Sequence, residues 1–397
     1  MQIADLIRER GPLTVAAFME LALYSENGYY ARAVQRSGRA GDFFTSVDVG
    51  PLFGELLAVQ IAEMADILGG PVDLVEAGAG NGRLSADILR ALRRDAPATY
   101  DRLNLHLVES SPAARAMQRA TLDEMAGRLM SSAPELPPSY EGIVIANELL
   151  DAMPVHQVVM REDGLREIYV DVADQAPERT VTLSGSRIGA AENRVLRTVE
   201  GPPSTSALAK YLARAGVSLE PGWHAEIGLA AIDWVRRAAQ CLRRGFMMLI
   251  DYGHEARELY SVTHASGTLS TFARHTMSGT EGPGAPAWLA NAGEQDITAH
   301  IDFTGVRAAA EAEGMQTLGF LDQTYFLLAL SGLANTVDSV NPESLENPEN
   351  LVNLRKRLAL KTLLLPGGLG STHKVLLFGK GVGTPTLRGC SYRVRVT

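Results

Sequence analysis

The sequence predicts a doubly wound α/β fold, with an N-terminal helical cap and an inserted α+β lobe. Three observations predict it. Short apolar runs alternate with amphipathic segments of helical period, the pattern of a parallel sheet covered on both faces. The first of those runs, Val72–Glu76, empties into a glycine-rich turn that a helix follows. Between the third run and the fourth lie roughly 95 residues, too many for one crossover, so that stretch reads as an insertion.

The elements follow in chain order. Ile3, Leu6 and Ile7 mark a short amphipathic helix that stops at Gly11-Pro12. Thr14 is placed to cap a second helix through Leu23, with Val15, Phe18, Met19 and Ala22 on one face. Tyr24–Pro51 has no sustained period but is rich in aromatics, and reads as an ordered loop of the kind that carries function. A helix is expected over Phe53–Leu68, then the strand Val72–Glu76 and a helix over Leu84–Arg94. LNLHLVE (Leu103–Glu109) reads as the second strand, Pro112–Arg128 as helix, and GIVIA (Gly142–Ala146) as the third strand. In the insertion, Gln157–Leu183 alternates like a strand (REIYVDV) and Ser206–Leu242 looks helical. FMMLID (Phe246–Asp251) is the fourth strand. Tyr260–Gly293, with GTEGPGAPA, reads as a mobile loop. A helix over 303–314, a strand over Met315–Leu318, a helix over Leu345–Leu365 and the strand KVLLF (Lys374–Phe378) complete the chain before a basic tail. The division is a cap and loop over 1–70, sheet halves over 71–156 and 244–385, a lobe over 157–243 and a tail over 386–397.

Composition narrows the function. With 46% hydrophobic and 21% charged residues in 397, the chain can bury a core and is not disordered throughout. A net charge of −9 argues against phosphate-backbone binding, so no nucleic-acid partner is expected. Cys241 and Cys390 are too few for a disulfide framework or a cysteine-rich zinc site. No apolar run approaches the roughly 18 residues that span a bilayer, so no membrane insertion is expected. The N-terminal MQIADLIRERG lacks a secretory apolar region, and Asp5 and Glu9 count against a transit peptide, so a cytoplasmic location is expected.

The turn Glu76-Ala77-Gly78-Ala79-Gly80-Asn81-Gly82 carries the chemistry. Glycines admit positive φ and close ligand approach, and the following helix offers free N–H groups. The arrangement suits a nucleotide-like cofactor at the carboxyl ends of the strands. A dinucleotide motif needs a third glycine at position 83, which is Arg. The spacing is G-x-G-x-G instead, with Glu76 just before it. S-adenosylmethionine carries an amino-acid end and a sulfonium charge, which an acid at Glu76 suits. Glu109 ends the next strand, where it can accept from ribose hydroxyls, and it lies farther along than the roughly 20 residues expected of a dinucleotide site. The plain alternative is a tight strand–helix turn without a ligand.

After GIVIA come Asn147-Glu148 and Asp151. A polar pair directly after an apolar strand is not what packing favours. Glu148 can hold a guanidinium by two hydrogen bonds or accept a proton. The alternative for Asn147 is a cap, and for Asp151 a solvated carboxylate. Asp251 ends the fourth strand in the same manner, followed by His254. In GEQDITAHIDF, His300 and Asp302 are candidate metal ligands or a base with its partner; the capping of the next helix by Asp302 or Thr304 is the preferred reading, and no metal is expected. In GDFFTS (41–46), Asp42 and Thr45 are candidate cofactor contacts, and Phe43 or Phe44 a stacking surface for an adenine or part of a core.

Together GDFFTS, FGE at 53–55, VEAGAGNG, NELLDAMPVHQ, IDYGH, TLSTFARH and GEQDITAHIDF resemble the MidA family of S-adenosylmethionine-dependent methyltransferases, over residues 10–380. The resemblance implies a seven-stranded Rossmann-like methyltransferase sheet with an inserted domain. Mitochondrial members are assembly factors for respiratory complex I and methylate an arginine of a core subunit, which implies a protein acceptor, a complex I subunit or similar. By position, the cofactor loop falls on Glu76, Gly78, Gly80 and Gly82, and the ribose acid on Glu109. The family's NE pair falls on Asn147-Glu148. Members often carry Gly-Pro-Gly where this chain has Gly-Ala-Gly-Asn-Gly. Without a transit peptide, the chain looks like a bacterial member.

The expectation is methyl transfer from S-adenosylmethionine to a protein arginine. Catalytic roles fall on Glu148, Asn147 and Asp151, and cofactor binding on Glu76, Gly78, Gly80, Gly82, Glu109, Asp42, Thr45 and Asn147. Acidic residues lower the cost of bringing a cationic arginine to a sulfonium. A homodimer is compatible with the sequence. Two alternatives stay open: an assembly chaperone that binds the cofactor without needing catalysis, and a NAD-type oxidoreductase, which Arg83 disfavours. His254, His275 and His300 receive no role.

Overall fold

The structure is a computed structural model that describes residues 3–31, 45–173, 196–273, 276–278, 286–331, 362–363 and 373–391. Helices α1 (Ile3–Arg10) and α2 (Val15–Tyr24) flank a short strand β1 (Leu13–Thr14), and Thr14 caps α2 by accepting from the Ala17 amide at 3.1 Å. A 3-10 turn at Ser46–Val49 precedes α3 (Leu52–Leu68), β2 (Val72–Ala77), α4 (Arg83–Asp95), α5 (Pro97–Asp101), β3 (Leu103–Val108), α6 (Pro112–Leu122), β4 (Leu129–Ala133) and β5 (Tyr140–Asn147). The insertion holds β6 (His156–Arg161), β7 (Gly164–Val172), β8 (Leu196–Gly201), α7 (Ala207–Ala215), β9 (His224–Ile227) and α8 (Leu229–Cys241). The chain returns through β10 (Leu242–His254), then α9 (Ala256–Leu259), β11 (Ser270–Ala273), β12 (Thr276–Ser278), β13 (Asp296–Thr298) and β14 (Ile301–Asp302). It ends with α10 (Phe303–Ala312), β15 (Gln316–Asp322), α11 (Gln323–Ser331) and β16 (His373–Lys380).

The large sheet runs β15-β16-β10-β5-β2-β3-β4, with β14 attached to the end of β10. Its pairings are parallel except those of β16, which is antiparallel to both neighbours. From β2 the chain steps outward to β3 and β4, then jumps back to β5 and proceeds to β10 on the other side. That reversal sets a topological switch point between β2 and β5, where α/β sheets open a crevice beyond the strands' carboxyl ends.

Side chains of alternate strand residues enter two cores. Leu74, Ile143, Ile145, Phe246, Met248 and Ile250 pack with α3 and α4; Val75, Val144, Ala146, Met247 and Leu249 pack with α8 and α10. Burial on both faces explains why these strands read as unbroken apolar runs.

A second sheet, β1-β7-β6-β9 with β8 on β7, forms the lobe. The N-terminal helices belong with it: Ile7, Phe18, Met19 and Leu23 share a core with Val159, Ile168, Val170 and Trp288, and Leu13 registers with Val170.

Four local readings are corrected. Ser206–Leu242 is not continuously helical: α7 ends at Gly216 (φ 66), and His224–Ile227 pairs with β6 before α8 begins. α6 ends at Leu122, where Asp123 takes φ 50 and a 3-10 turn follows. β4, LMSSA, was not expected; as an alternately exposed edge strand it needs little apolar character. Within Tyr260–Gly293, strands β11 and β12 pair instead of leaving an open loop. Asp42, Phe43, Phe44, His275 and the helix expected over Leu345–Leu365 (residues 362–363 apart) lie outside the described residues, as does the tail from residue 392. Among the described residues no helix is long and apolar enough to cross a membrane.

Candidate functional site

β2 and α4 deliver the glycine turn to the switch point. The Gly78 and Ala79 amides donate to the Val108 carbonyl at 2.9 and 3.1 Å, which ties the turn to the end of β3. Gly80 sits at φ 50, and a Cβ added there would meet no described atom within 4 Å. Among the described residues the turn therefore presents bare backbone with nothing packed over it, which is what close approach of a ligand requires. A Cβ on Gly78 would instead press on Leu149 Cδ1 at 3.0 Å. Gly82, also at positive φ (84), starts α4.

Glu109 closes this loop from the neighbouring strand. Its Oε2 accepts from the Gly80 amide at 2.8 Å and its Oε1 from the Ser111 amide at 2.8 Å. Gln118 of α6 was not singled out from sequence, yet it is fully buried and donates to the Gly80 carbonyl at 2.8 Å while accepting from Ser132 Oγ at 2.6 Å. Its one sequence signal is a polar residue on the buried face of a helix.

Glu76 departs from its expected place beside a cationic ligand. It is 5% exposed, and its Oε2 accepts from both the amide and the hydroxyl of Ser85, inside the first turn of α4. Burial pushes its carboxyl up to about 7, against the lowering pull of the two Ser85 bonds. Thr45 likewise turns inward: its amide and Oγ1 donate to Asp48 Oδ2 at 3.1 and 3.0 Å, capping the 3-10 turn. Asp48 Oδ1 in turn pairs with Arg83 Nη1 at 3.1 Å. The arginine that replaces a third glycine thus ties the 45–49 turn to the start of α4.

The end of β5 forms the other wall. Glu148 holds a left-handed backbone, φ 50, rare for a side-chain-bearing residue and typical of strained functional positions. Its amide donates to the Ile250 carbonyl at 2.8 Å. Its Oε1 accepts from Asn147 Nδ2 at 3.2 Å and the Ser46 amide at 3.3 Å, and lies 3.8 Å from His373 Nε2. Asn147 Oδ1 and Asp151 Oδ1 are buried, and no described residue hydrogen-bonds either. Burial raises the Asp151 carboxyl and the Glu148 charge adds to it, while a hydrogen bond with Tyr252 pulls it down. Asp251 does not end its strand, since β10 runs on to His254, but it holds the exit loop: its Oδ2 accepts from the amides of Leu149, Leu150 and Asp151 at 3.2, 2.8 and 3.4 Å.

Beyond β10 the histidines regroup. His300 does not pair with Asp302, which caps α10 by accepting from the Thr304 amide at 2.9 Å and also accepts from Tyr211 at 2.8 Å. His300 instead gathers with His254 and His264, with ring centroids 4.8 Å apart for 254–264, 5.4 Å for 254–300 and 5.7 Å for 264–300. The Tyr252 ring lies edge-on to His300 and to His373, linking this cluster to the β5 exit.

Comparison with known proteins places this geometry. The sequence profile of an S-adenosyl-L-methionine-dependent methyltransferase family matches residues 56–321. A protein from Burkholderia thailandensis, solved bound to S-adenosyl-homocysteine, superposes with TM-score 0.81 at 28% identity, covering 98% of this chain and 93% of that one. The rat mitochondrial protein arginine methyltransferase NDUFAF7 is 29% identical over 81% of this chain and 71% of its own. The Drosophila melanogaster homolog of that enzyme is 27% identical over 96% of this chain and 84% of its own.

Proposed function

The chain belongs to the MidA family of S-adenosyl-L-methionine-dependent methyltransferases, and from that premise we propose that it methylates an arginine side chain of a protein acceptor. The observation that carries this reading is the pair of carboxylates at the β5 exit. Glu148 is held there in a left-handed backbone, and Asp151 stands three residues on with a buried Oδ1 that no described residue hydrogen-bonds. The names of the rat and fly relatives support the same acceptor.

The residues fit the cofactor. Among the described residues nothing packs over Gly80, Glu109 stands at its amide, and the buried Oδ1 of Asn147 has no donor. Gly80, Glu109 and Asn147 would hold it. When bound, S-adenosyl-L-methionine supplies an electrophilic sulfonium methyl group. The nicotinamide alternative falls with the family assignment.

The chain's own part is orientation and proton handling. Glu148 accepts two guanidinium N–H bonds, fixing the nucleophilic nitrogen in line for displacement. Its negative charge offsets the cost of bringing a cationic side chain to a cationic donor. Asp151, raised by burial, is poised to accept the proton that a newly methylated guanidinium must shed. Asp251 keeps both in register by holding the loop between them. A net charge of −9 favours a basic acceptor segment.

The test is transfer of labelled methyl from S-adenosylmethionine to arginine-containing peptides, beside the same peptides with lysine in place of arginine. Label on arginine alone supports the reading; label on lysine alone overturns it.

A further inference from the structure

Three imidazoles from three separate segments converge beside the β5 exit, and methyl transfer uses none of them. His254 ends β10, His264 closes the 3-10 turn Val262–His264, and His300 immediately precedes β14. One ring nitrogen from each lies within 4.8 Å of the other two. We propose that His254, His264 and His300 bind a divalent transition-metal ion, Zn²⁺ being the best match.

The surroundings orient the rings for this. His254 Nδ1 lies 3.0 Å from Glu258 Oε1, and His264 Nδ1 lies 3.1 Å from the Glu258 carbonyl. One residue of α9 therefore lies beside both rings, bonding His264 Nδ1 through its carbonyl and facing His254 Nδ1 as an ion-pair partner, while His254 Nδ1 is buried and no described residue hydrogen-bonds it. Metal-bound histidines often have a second-layer carbonyl or carboxylate at the remote nitrogen, the position the Glu258 carbonyl takes at His264. His300 Nδ1 is buried, and no described residue hydrogen-bonds it. A buried imidazole nitrogen without a partner is a cost that an ion removes.

The donor set selects the ion. Three imidazole nitrogens, with no carboxylate among the described ligands, suit Zn²⁺ and its neighbours, not Mg²⁺ or Ca²⁺. Zn–N bonds of about 2.1 Å at tetrahedral angles set the nitrogens about 3.4 Å apart. The observed spacing closes to that by ring rotation, chiefly of His264, which lies on a short turn. Among the described residues three ligands are supplied, and a tetrahedral ion takes a fourth. The ion would pin the 262–264 turn and the start of β14 to the end of β10, next to Tyr252. Spacings of ten and thirty-six residues match no short metal motif, which is why the sequence alone predicts no metal.

The experiment uses the full chain without a histidine tag, stripped with chelator, and titrated with ZnCl₂ by calorimetry. Co²⁺ is then added in a parallel sample to read its tetrahedral absorption bands. The expected result is one Zn²⁺ per chain and tetrahedral Co²⁺ bands. Glu258→Ala, at an exposed carboxylate, weakens binding about 10-fold. His264→Ala weakens it by more than about 100-fold, beyond the range of a second-layer loss. Because His264 lies on a surface turn, that variant tests the site even if His300→Ala fails to fold. The proposal is overturned if folded wild type takes up no stoichiometric Zn²⁺, or if His264→Ala binds it as tightly as wild type.

Discussion

Glu109 accepts a 2.8 Å hydrogen bond from the Gly80 amide, joining the carboxylate that ends β3 to the turn that follows β2. Both partners lie at the mouth of the switch-point crevice. A ligand with a ribose diol meets this carboxylate already oriented, with Ser111 fixing its other oxygen. Hydrogen bonds to a charged group contribute about 1.5–3 kcal/mol. Glu109→Ala is therefore expected to weaken S-adenosyl-homocysteine binding about 10- to 100-fold in calorimetry. Unchanged affinity would remove Glu109 from the cofactor site.

Gly80→Val separates catalysis from chaperoning. The left-handed φ of 50 strains any β-branched residue, and the side chain would fill the open space over the turn. The variant is expected to lose cofactor binding and methyl transfer together while keeping its overall secondary structure by circular dichroism. If partner capture also survives with full biological activity, the assembly-chaperone alternative gains over catalysis.

Glu76 predicts a pH dependence. Its carboxyl is raised from 4.5 to about 7 in the folded chain. The folded state therefore binds the proton more tightly than the unfolded state. The resulting stabilisation is fully present below pH 4.5 and is lost as pH rises to about 7. The buried charge then costs on the order of 3 kcal/mol. Glu76→Gln keeps an acceptor for Ser85 without the charge. It should raise the melting temperature at pH 8 and change it little at pH 5. Equal shifts at both values would contradict the assignment.

These residues also show what the sequence made legible. The glycine turn and the strands GIVIA and FMMLID were readable because burial on both sheet faces leaves unbroken apolar runs, and because the turn needs glycine. β4 was not, since an edge strand such as LMSSA needs few apolar residues. β9, four residues between two helices, was masked by the helical character around it. Glu148 and Glu109 were readable as acids at strand ends. Glu76 was misplaced because an acid before a glycine turn can face the ligand or, as here, the helix that follows. Gln118 and the histidine cluster are held together by tertiary contacts between distant segments, which local pattern does not carry.

The orienting role proposed for Glu148 is tested by the rate of labelled methyl transfer to an arginine peptide by wild type and by Glu148→Gln, with S-adenosyl-homocysteine affinity measured on both. Loss of a positioned carboxylate in transfer chemistry costs about 10²- to 10⁴-fold. A fall of that size in kcat is expected, with cofactor affinity changed less than about 3-fold, or 0.7 kcal/mol. A Glu148→Gln enzyme that methylates the arginine peptide at the wild-type rate would contradict it.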